Sequence, residues 1–429
     1  MKVAFYTLGC KVNQYESHAI AEILSNCGHT ILSSTGGADC VIINSCTVTA
    51  ESDRKTRQAV RRARKNNPSS IILLAGCMPQ AFPKESDLPE ADIITGNTSP
   101  EKIPLLIDQF LKTGERIVNI EPHAKKETYA TPAITGFSER TRAFMKIEDG
   151  CDRYCTYCII PTARGAIRSR SLEDITKEAT SLAEKGFKEI VLVGINLTSY
   201  GKDIGLNICD AVDAASVPEG IKRVRLGSLE PDHMSDFVLS RLKGQPKFCP
   251  QFHLALQSGS DSTLKRMNRH YDTAFFKDLV LRIRQIFDNC SITTDIMVGF
   301  AGETQEDFNK SLSFYKEIGF ARGHVFAYSK REGTFAASFD NQVEKAEKER
   351  RANIMGAAAR ECEKAFLASQ IGLVSPVLFE THSKGFSEGY TENYARVKVP
   401  TDKALSGQIL PVKLIFAEDN FVLGELLSK

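Results

Sequence analysis

Cys151, Cys155 and Cys158 stand within eight residues in the stretch GCDRYCTYCIIPTARG. Three thiolates at C-x3-C-x2-C spacing make a metal site one ligand short, because a structural zinc or a cubane cluster takes four. An open coordination position is what separates a catalytic metal from a structural one. His123, His233 and Cys209 are the nearest further ligand types, and none stands in a zinc-knuckle register. A second set, Cys10, Cys46 and Cys77, is scattered, yet each closes an apolar run: KVAFYTLGC, VIINSC and IILLAGC. If those runs are parallel strands of one sheet, their ends share an edge where ligands collect. The residues alone leave open whether these three are ligands or buried core cysteines. Gly9 and Gly76 allow the backbone to turn closely before two of them. Cys27, Cys40, Cys209, Cys249, Cys290 and Cys362 have no ligand spacing and read as small buried hydrophobes.

The elements that must position these groups follow from periodicity. Residues 1–117 alternate strand and helix, so the first unit is an α/β domain on a parallel sheet. Its helices include YESHAIAEILSNCG, ended by Gly28, the basic ESDRKTRQAVRRARKNN, stopped before Pro68, and PEKIPLLIDQFLKTG, opened by proline. Residues 118–140 are polar, carry prolines and lack periodicity, as a linker does. A second βα series spans 141–370, with strands expected at 143–149, 189–195, 223–229, 252–258, 292–300 and 324–329. Six strands with crossover helices predict a full or partial barrel, whose chemistry belongs at the strands' C-terminal ends. From 371 to 429 short β-like runs split by Gly and Pro predict a small all-β barrel.

A chain of 429 residues exceeds one hydrophobic core. No run approaches the roughly 18 apolar residues of a membrane span, and the start, MKVAFYTLGC, is too short for a signal peptide. A cytoplasmic protein without membrane association is expected, in which clustered thiols stay reduced and serve as ligands or catalysts. The net charge of +2 gives no general argument for nucleic acid. Residues 54–65 depart from that balance, with seven basic residues in twelve. Arg57, Arg61 and Arg62 are the candidates there for contacting phosphate, against a plain solvated helix face.

The loop at 150–165 resembles the cluster loop of radical S-adenosylmethionine enzymes. The strings LGCKVNQYES, INSCTVTAESDRKTRQ and AGCMPQ resemble the three N-terminal motifs of the methylthiotransferases within that group. The resemblance covers nearly the whole chain. It implies a Rossmann-like N-terminal domain, a partial (βα)6 radical barrel and a C-terminal β module similar to TRAM, an RNA-binding fold whose pattern GYTENYARVKV fits. That module carries six Lys/Arg against seven Asp/Glu from 372 to 429, so RNA contact by it rests on the resemblance.

The resemblance further implies two [4Fe-4S] clusters, one on Cys151, Cys155 and Cys158 and one on Cys10, Cys46 and Cys77. In the first, S-adenosyl-L-methionine supplies the missing ligand; the second carries the sulfur to be transferred. Tyr157 matches the family's aromatic near the adenine of that cofactor, and Asn196 and Glu230 lie at strand ends where cofactor contacts belong; loop capping and packing are the plain alternatives. TLGCKVNQYES most resembles the branch that methylthiolates C2 of N6-threonylcarbamoyladenosine in tRNA, next to the anticodon at position 37. The other branches act on isopentenyladenosine in tRNA and on a ribosomal-protein aspartate, and a zinc-stabilised RNA-binding protein is the alternative from another class. The expected partners are a tRNA anticodon stem-loop, an electron donor and a sulfur donor, around a monomer. Where the family usually has proline this chain has Ala255, Ala301 and Ala327, which loosens the expected geometry of three strand-end loops.

Overall fold

The computed structural model describes residues 1–124, 127–130, 132–134 and 141–427. The expected linker at 118–140 therefore lies partly outside the described residues. Six parallel strands form the first sheet: β1 (Lys2–Thr7), β2 (Thr30–Leu32), β3 (Cys40–Ser45), β4 (Ile71–Gly76), β5 (Ile93–Thr95) and β6 (Ile117–Asn119), in the order β2-β1-β3-β4-β5-β6. β3 and β4 are buried along their whole length, which is why they read as unbroken apolar runs. The expected boundary at 117 falls inside β6, an edge strand paired with β5.

The helices cover both faces of this sheet. Helix α1 (Lys11–Asn26) buries Ile20 and Leu24 against one face, with Ile103 and Ile107 of α4 (Ile103–Thr113). Helix α2 (Ala50–Asn66) buries Val60 and Ala63 against the other. Its start is capped by Thr49, which accepts from the Ser52 amide. Glu51 and Asp53 in its first turn and Arg64 and Lys65 in its last complement the helix dipole. A short helix that periodicity does not announce, α3 (Cys77–Ala81), follows β4.

The second unit is a partial barrel of parallel strands. β7 (Arg142–Lys146), β10 (Glu189–Val193) and β11 (Arg223–Leu226) pair in one sheet. β12 (Ser228–Leu229), β13 (Gln251–Leu254), β14 (Ser291–Val298) and β15 (Arg322–Ala327) continue it. Gly227 alone separates β11 from β12, so these behave as one strand and all six expected barrel strands are present. A two-stranded pair, β8 (Glu148–Asp149) and β9 (Arg168–Ser169), brackets the cysteine loop, and helix α5 (Ile160–Arg164) lies between them. Val12, Tyr15 and Ala19 of α1 join the barrel's core, so one helix is shared by the cores of both units. The described part of the 118–140 stretch packs rather than hangs free: Ile134 is buried and the Tyr129 hydroxyl donates to the Lys146 carbonyl at 2.6 Å.

The C-terminal strands β16 (Val374–Ser383), β17 (Phe386–Tyr390), β18 (Arg396–Pro400), β19 (Ile409–Ala417) and β20 (Val422–Leu426) close into a barrel in the order β16-β17-β18-β20-β19. Part of its GYTENYARVKV stretch turns toward the radical barrel. The Tyr390 and Tyr394 rings stack 4.7 Å apart, and the Arg142 guanidinium lies about 5 Å from both. Arg223 donates to the carbonyls of Pro376 and Tyr390, and Arg225 to that of Glu392. The N-terminal ends of β7 and β11 thus dock on this module, which floors the radical barrel. Among the described residues no helix is long and apolar enough to cross a membrane.

Candidate active site

Cys10 follows β1, Cys46 follows β3 and Cys77 follows β4, three neighbouring strands that end on the same edge. Two glycines make the approach possible. Gly9 and Gly76 take φ of +107° and +102°; a Cβ on Gly9 would stand 2.8 Å from the Cys46 Cβ, and one on Gly76 2.5 Å from the Asn44 Oδ1. Asn13 and Asn44 lock the loops: Asn13 Nδ2 donates to the Ser45 carbonyl (2.9 Å) and Asn44 Nδ2 to the Asn13 carbonyl (3.0 Å). The Cys10 thiol donates to Asn13 Oδ1 at 3.3 Å. Cys10 is solvent-accessible, yet burial pushes its thiol up, as does the neighbouring Cys46.

The other triad sits on the loop after β8, as expected for a strand's C-terminal end. Thr156 pins this loop, donating to the carbonyls of Arg266 (Oγ1, 2.8 Å) and Met267 (N, 3.1 Å). Cys155 is buried and accepts from Arg269 Nη1 at 3.2 Å. Arg269 also grips Glu230, and Arg153 lies 3.8 Å from the same carboxylate while holding Asp232 with both Nη atoms (2.7 and 2.8 Å). Glu230 is thus placed beside the loop by two arginines. Asn196 turns into its own loop: its Nδ2 donates to Ser199 Oγ and its amide to Glu148 Oε2, both at 2.8 Å. Tyr157 packs edge-on against Phe300 and lines a cavity of about 220 Å³. Cys158, Met297, Phe326 and Ala327 line it from the barrel, and Val48 and Thr49 from the first unit.

The two triads are joined by a buried ionic cluster that the cysteine spacings do not announce. α5 runs from just after Cys158 to Arg164, which is fully buried. Arg164 Nε donates to Cys77 Sγ at 3.2 Å, its Nη atoms take both oxygens of Glu16, and Asp149 lies 3.4 Å away. Lys146 completes the cluster at 2.8 Å from Glu16 and 2.6 Å from Asp149. Burial works against the Glu16 carboxylate, but Arg164 and Lys146 hold its carboxyl below the usual range. Further bonds clamp the units: Arg331 holds Asp53 (2.6 Å) and Thr47 (2.7 Å), and the Ala50 amide donates to Ser329 Oγ.

Among the described residues no group of three or more His, Cys, Asp or Glu side chains forms a ready ligand set for a single ion. The donor sets fit an iron–sulfur cluster: three thiols each, with a guanidinium N–H aimed at one sulfur of each set. Burial pushes Cys77, Cys151 and Cys158 up to about 12, so their thiolates depend on a bound cationic partner.

On the basic helix, Arg61 is engaged by Glu90 at 3.3 Å and Arg54 by Glu51 at 2.6 Å. Arg62 is exposed and shares a groove with Lys55, and Arg57 is half-buried; neither has an ion pair among the described residues. Of the six other cysteines, Cys40, Cys209 and Cys249 are buried and Cys290 and Cys362 partly so, but Cys27 is exposed after α1, where no core covers the helix end. Ala301 is buried against the Phe300 cluster. The Ala255 amide donates to the Leu229 carbonyl at 3.1 Å, a rung that proline could not make.

Residues 2–96 match the family described as "Uncharacterized protein family UPF0004", and residues 145–315 the "Radical SAM superfamily". The chain is 37% identical to the threonylcarbamoyladenosine tRNA methylthiotransferase MtaB of Bacillus subtilis, over 97% of this chain and 94% of that one. It is 34% identical to the tRNA-2-methylthio-N(6)-dimethylallyladenosine synthase of Clostridium perfringens, over 98% and 97%. Among solved structures, the radical S-adenosylmethionine methyltransferase TsrM of Kitasatospora setae superposes with a TM-score of 0.55 at 12% identity, over 89% of this chain and 79% of that one, a likeness of fold alone.

Proposed function

Because the chain belongs to the radical S-adenosylmethionine methylthiotransferase family, we propose that it methylthiolates C2 of N6-threonylcarbamoyladenosine in tRNA, next to the anticodon, with two [4Fe-4S] clusters. The observation that carries this reading is the pairing of two cysteine triads through one buried helix end, Arg164 of α5, which starts beside Cys158 and ends on the sulfur of Cys77. Bound clusters and S-adenosylmethionine supply the one-electron chemistry that an aromatic C–H requires and acid–base side chains do not provide. The chain's own residues hold the parts. Cys151, Cys155 and Cys158 are the ligands of the first cluster, leaving one position for the cofactor, and Cys10, Cys46 and Cys77 those of the second. Tyr157 walls the cavity beside Cys158; Arg269 orients Cys155 and is itself fixed by Glu230.

The reaction needs an adenine out of its stack, which a single-stranded anticodon loop allows at modest cost. Arg57 and Arg62 of α2, which have no ion pair among the described residues, are the proposed backbone contacts. The apolar walls of the cavity by Met297, Phe326 and Val48 favour the isopentenyladenosine branch as a second reading.

Nucleosides from the tRNA of a strain lacking the gene decide between them by mass spectrometry. Loss of methylthio-threonylcarbamoyladenosine, restored with the gene, is the expected result; loss of the methylthio-isopentenyl nucleoside instead refutes the substrate assignment. Iron analysis tests the cluster number: about eight irons per reconstituted chain are expected, falling to about four when Cys10, Cys46 and Cys77 become alanine.

A further inference from the structure

Against the inner face of the radical barrel stands a lysine that, among the described residues, no carboxylate answers. Lys11 is the residue after Cys10 and opens α1. Its ammonium lies 5.7 Å from the ring centroid of Phe144, which shares a face of β7 with Arg142 and Lys146. Tyr394, Arg142 and Arg225 of the barrel floor lie within its electrostatic reach. Among the described residues, Glu189 is held by Arg225 at 3.0 Å and Glu380 by Arg142, and Asp295 lies 3.2 Å from the His253 ring. Lys11 has no hydrogen-bond acceptor and no ion pair among the described residues, and its side chain is open to water.

A lysine ammonium that lies beside the Phe144 ring and lacks a counter-charge selects an anion, because a carboxylate brought out of water without a partner is costly. The threonylcarbamoyl substituent carries such a carboxylate, ionised at neutral pH, on the same adenine whose C2 must meet the Cys10 site. The isopentenyl substituent has no charge and would leave Lys11 unanswered. We propose that Lys11 receives the threonyl carboxylate of the substrate nucleoside and is thereby the residue that selects this modified adenine. The inference rests on the substrate reading above and specifies its recognition.

The test uses the reconstituted enzyme and anticodon stem-loops carrying either threonylcarbamoyladenosine or its methyl ester, which is neutral. Affinity is read by fluorescence anisotropy and turnover by mass spectrometry. The parent should bind the acid roughly 30-fold more tightly than the ester, the scale of losing one member of a desolvated charge pair. Lys11→Met should bind both at the ester's level, and Lys11→Arg should recover most of the preference, each with the parent's iron content. Discrimination that survives in Lys11→Met, or a parent that does not distinguish acid from ester, overturns the role of Lys11 while leaving the substrate reading intact. A parent that modifies an isopentenyl stem-loop but neither of these overturns the substrate reading itself. If Lys11→Met loses iron, Lys11→Arg decides: no preference for the acid at full iron content refutes the assignment.

Discussion

Arg164→Met removes the guanidinium that binds the Glu16 carboxylate, approaches that of Asp149 and donates to the Cys77 sulfur at once. The side chain is fully buried, so solvent screening does not soften the loss. Removing one member of a buried ion pair costs about 3–5 kcal/mol, because the partner charge is left behind. Here Lys146 stays within 2.8 Å of Glu16 and 2.6 Å of Asp149 and keeps part of that charge answered. The expected destabilisation therefore lies near the lower end, about 3 kcal/mol, a large share of an ordinary domain's stability. The assay is anaerobic urea unfolding of the reconstituted protein in a double-mutant cycle with Glu16→Gln. A coupling of about 1–3 kcal/mol between the two changes is expected. Arg164→Lys keeps the charge but not the fork, and should recover only part of the loss. In a protein lacking Cys151, Cys155 and Cys158, Arg164→Met should also lower the reduction potential of the remaining cluster, by removing a cationic N–H from its sulfur. A loss below about 1 kcal/mol with no coupling to Glu16 would refute the claim that this residue joins the two sites.

Gly76→Ala puts a Cβ 2.5 Å from Asn44 Oδ1 and 2.6 Å from the Ser45 carbonyl at a φ of +102°; iron content should fall by about half as the Cys77 site is lost, and full iron content contradicts this. Glu148 is fully buried with Oε1 unpartnered, and burial pushes its carboxyl up to about 8. The folded state thus holds a proton that the unfolded state releases, so Glu148 weakens the fold as pH rises from the ordinary carboxylate range to about 8. Glu148→Gln should match the parent near pH 5 and exceed it increasingly toward pH 8 in urea midpoints; a constant difference counts against the burial effect. Arg57→Glu with Arg62→Glu should weaken tRNA binding and flatten its dependence on salt by about two phosphate contacts, and an unchanged salt slope removes α2 from the RNA interface.

Much of the frame was readable because local signals agreed. β1, β3 and β4 are apolar runs bounded by glycine and cysteine, and the barrel strands lie within a few residues of their expected places. β2, β5 and β6 span three residues each, too short for any period to register. The six cysteines stood out by spacing and strand position. Their supporting groups did not: Arg164 meets Glu16 across 148 residues and Arg269 meets Cys155 across 114, and a lone arginine carries no periodic signal. The one available hint was a basic residue directly before Gly165, six positions after Cys158. The inward contacts of the tyrosines in GYTENYARVKV were hidden for a related reason. The tyrosines match a nucleic-acid-binding pattern, but Arg142 and Arg225 draw them inward, a contact fixed only when distant parts of the chain meet.

The arginine-lined underside of the radical barrel makes the C-terminal module a strut rather than a tether. Arg142, Arg223 and Arg225 hold its backbone and rings from residues that sit 150 or more positions earlier in the chain. Any RNA segment that touches this module therefore does so at a fixed offset and angle from the reaction chamber. The entropy of aligning the two parts is spent when the protein folds, not when the RNA arrives. Such a frame measures its ligand: a stem whose length or bend departs from the built-in span loses one contact for every other it keeps. Selection among RNAs that share the same modified base then becomes a matter of shape, set by a joint far from any reacting atom.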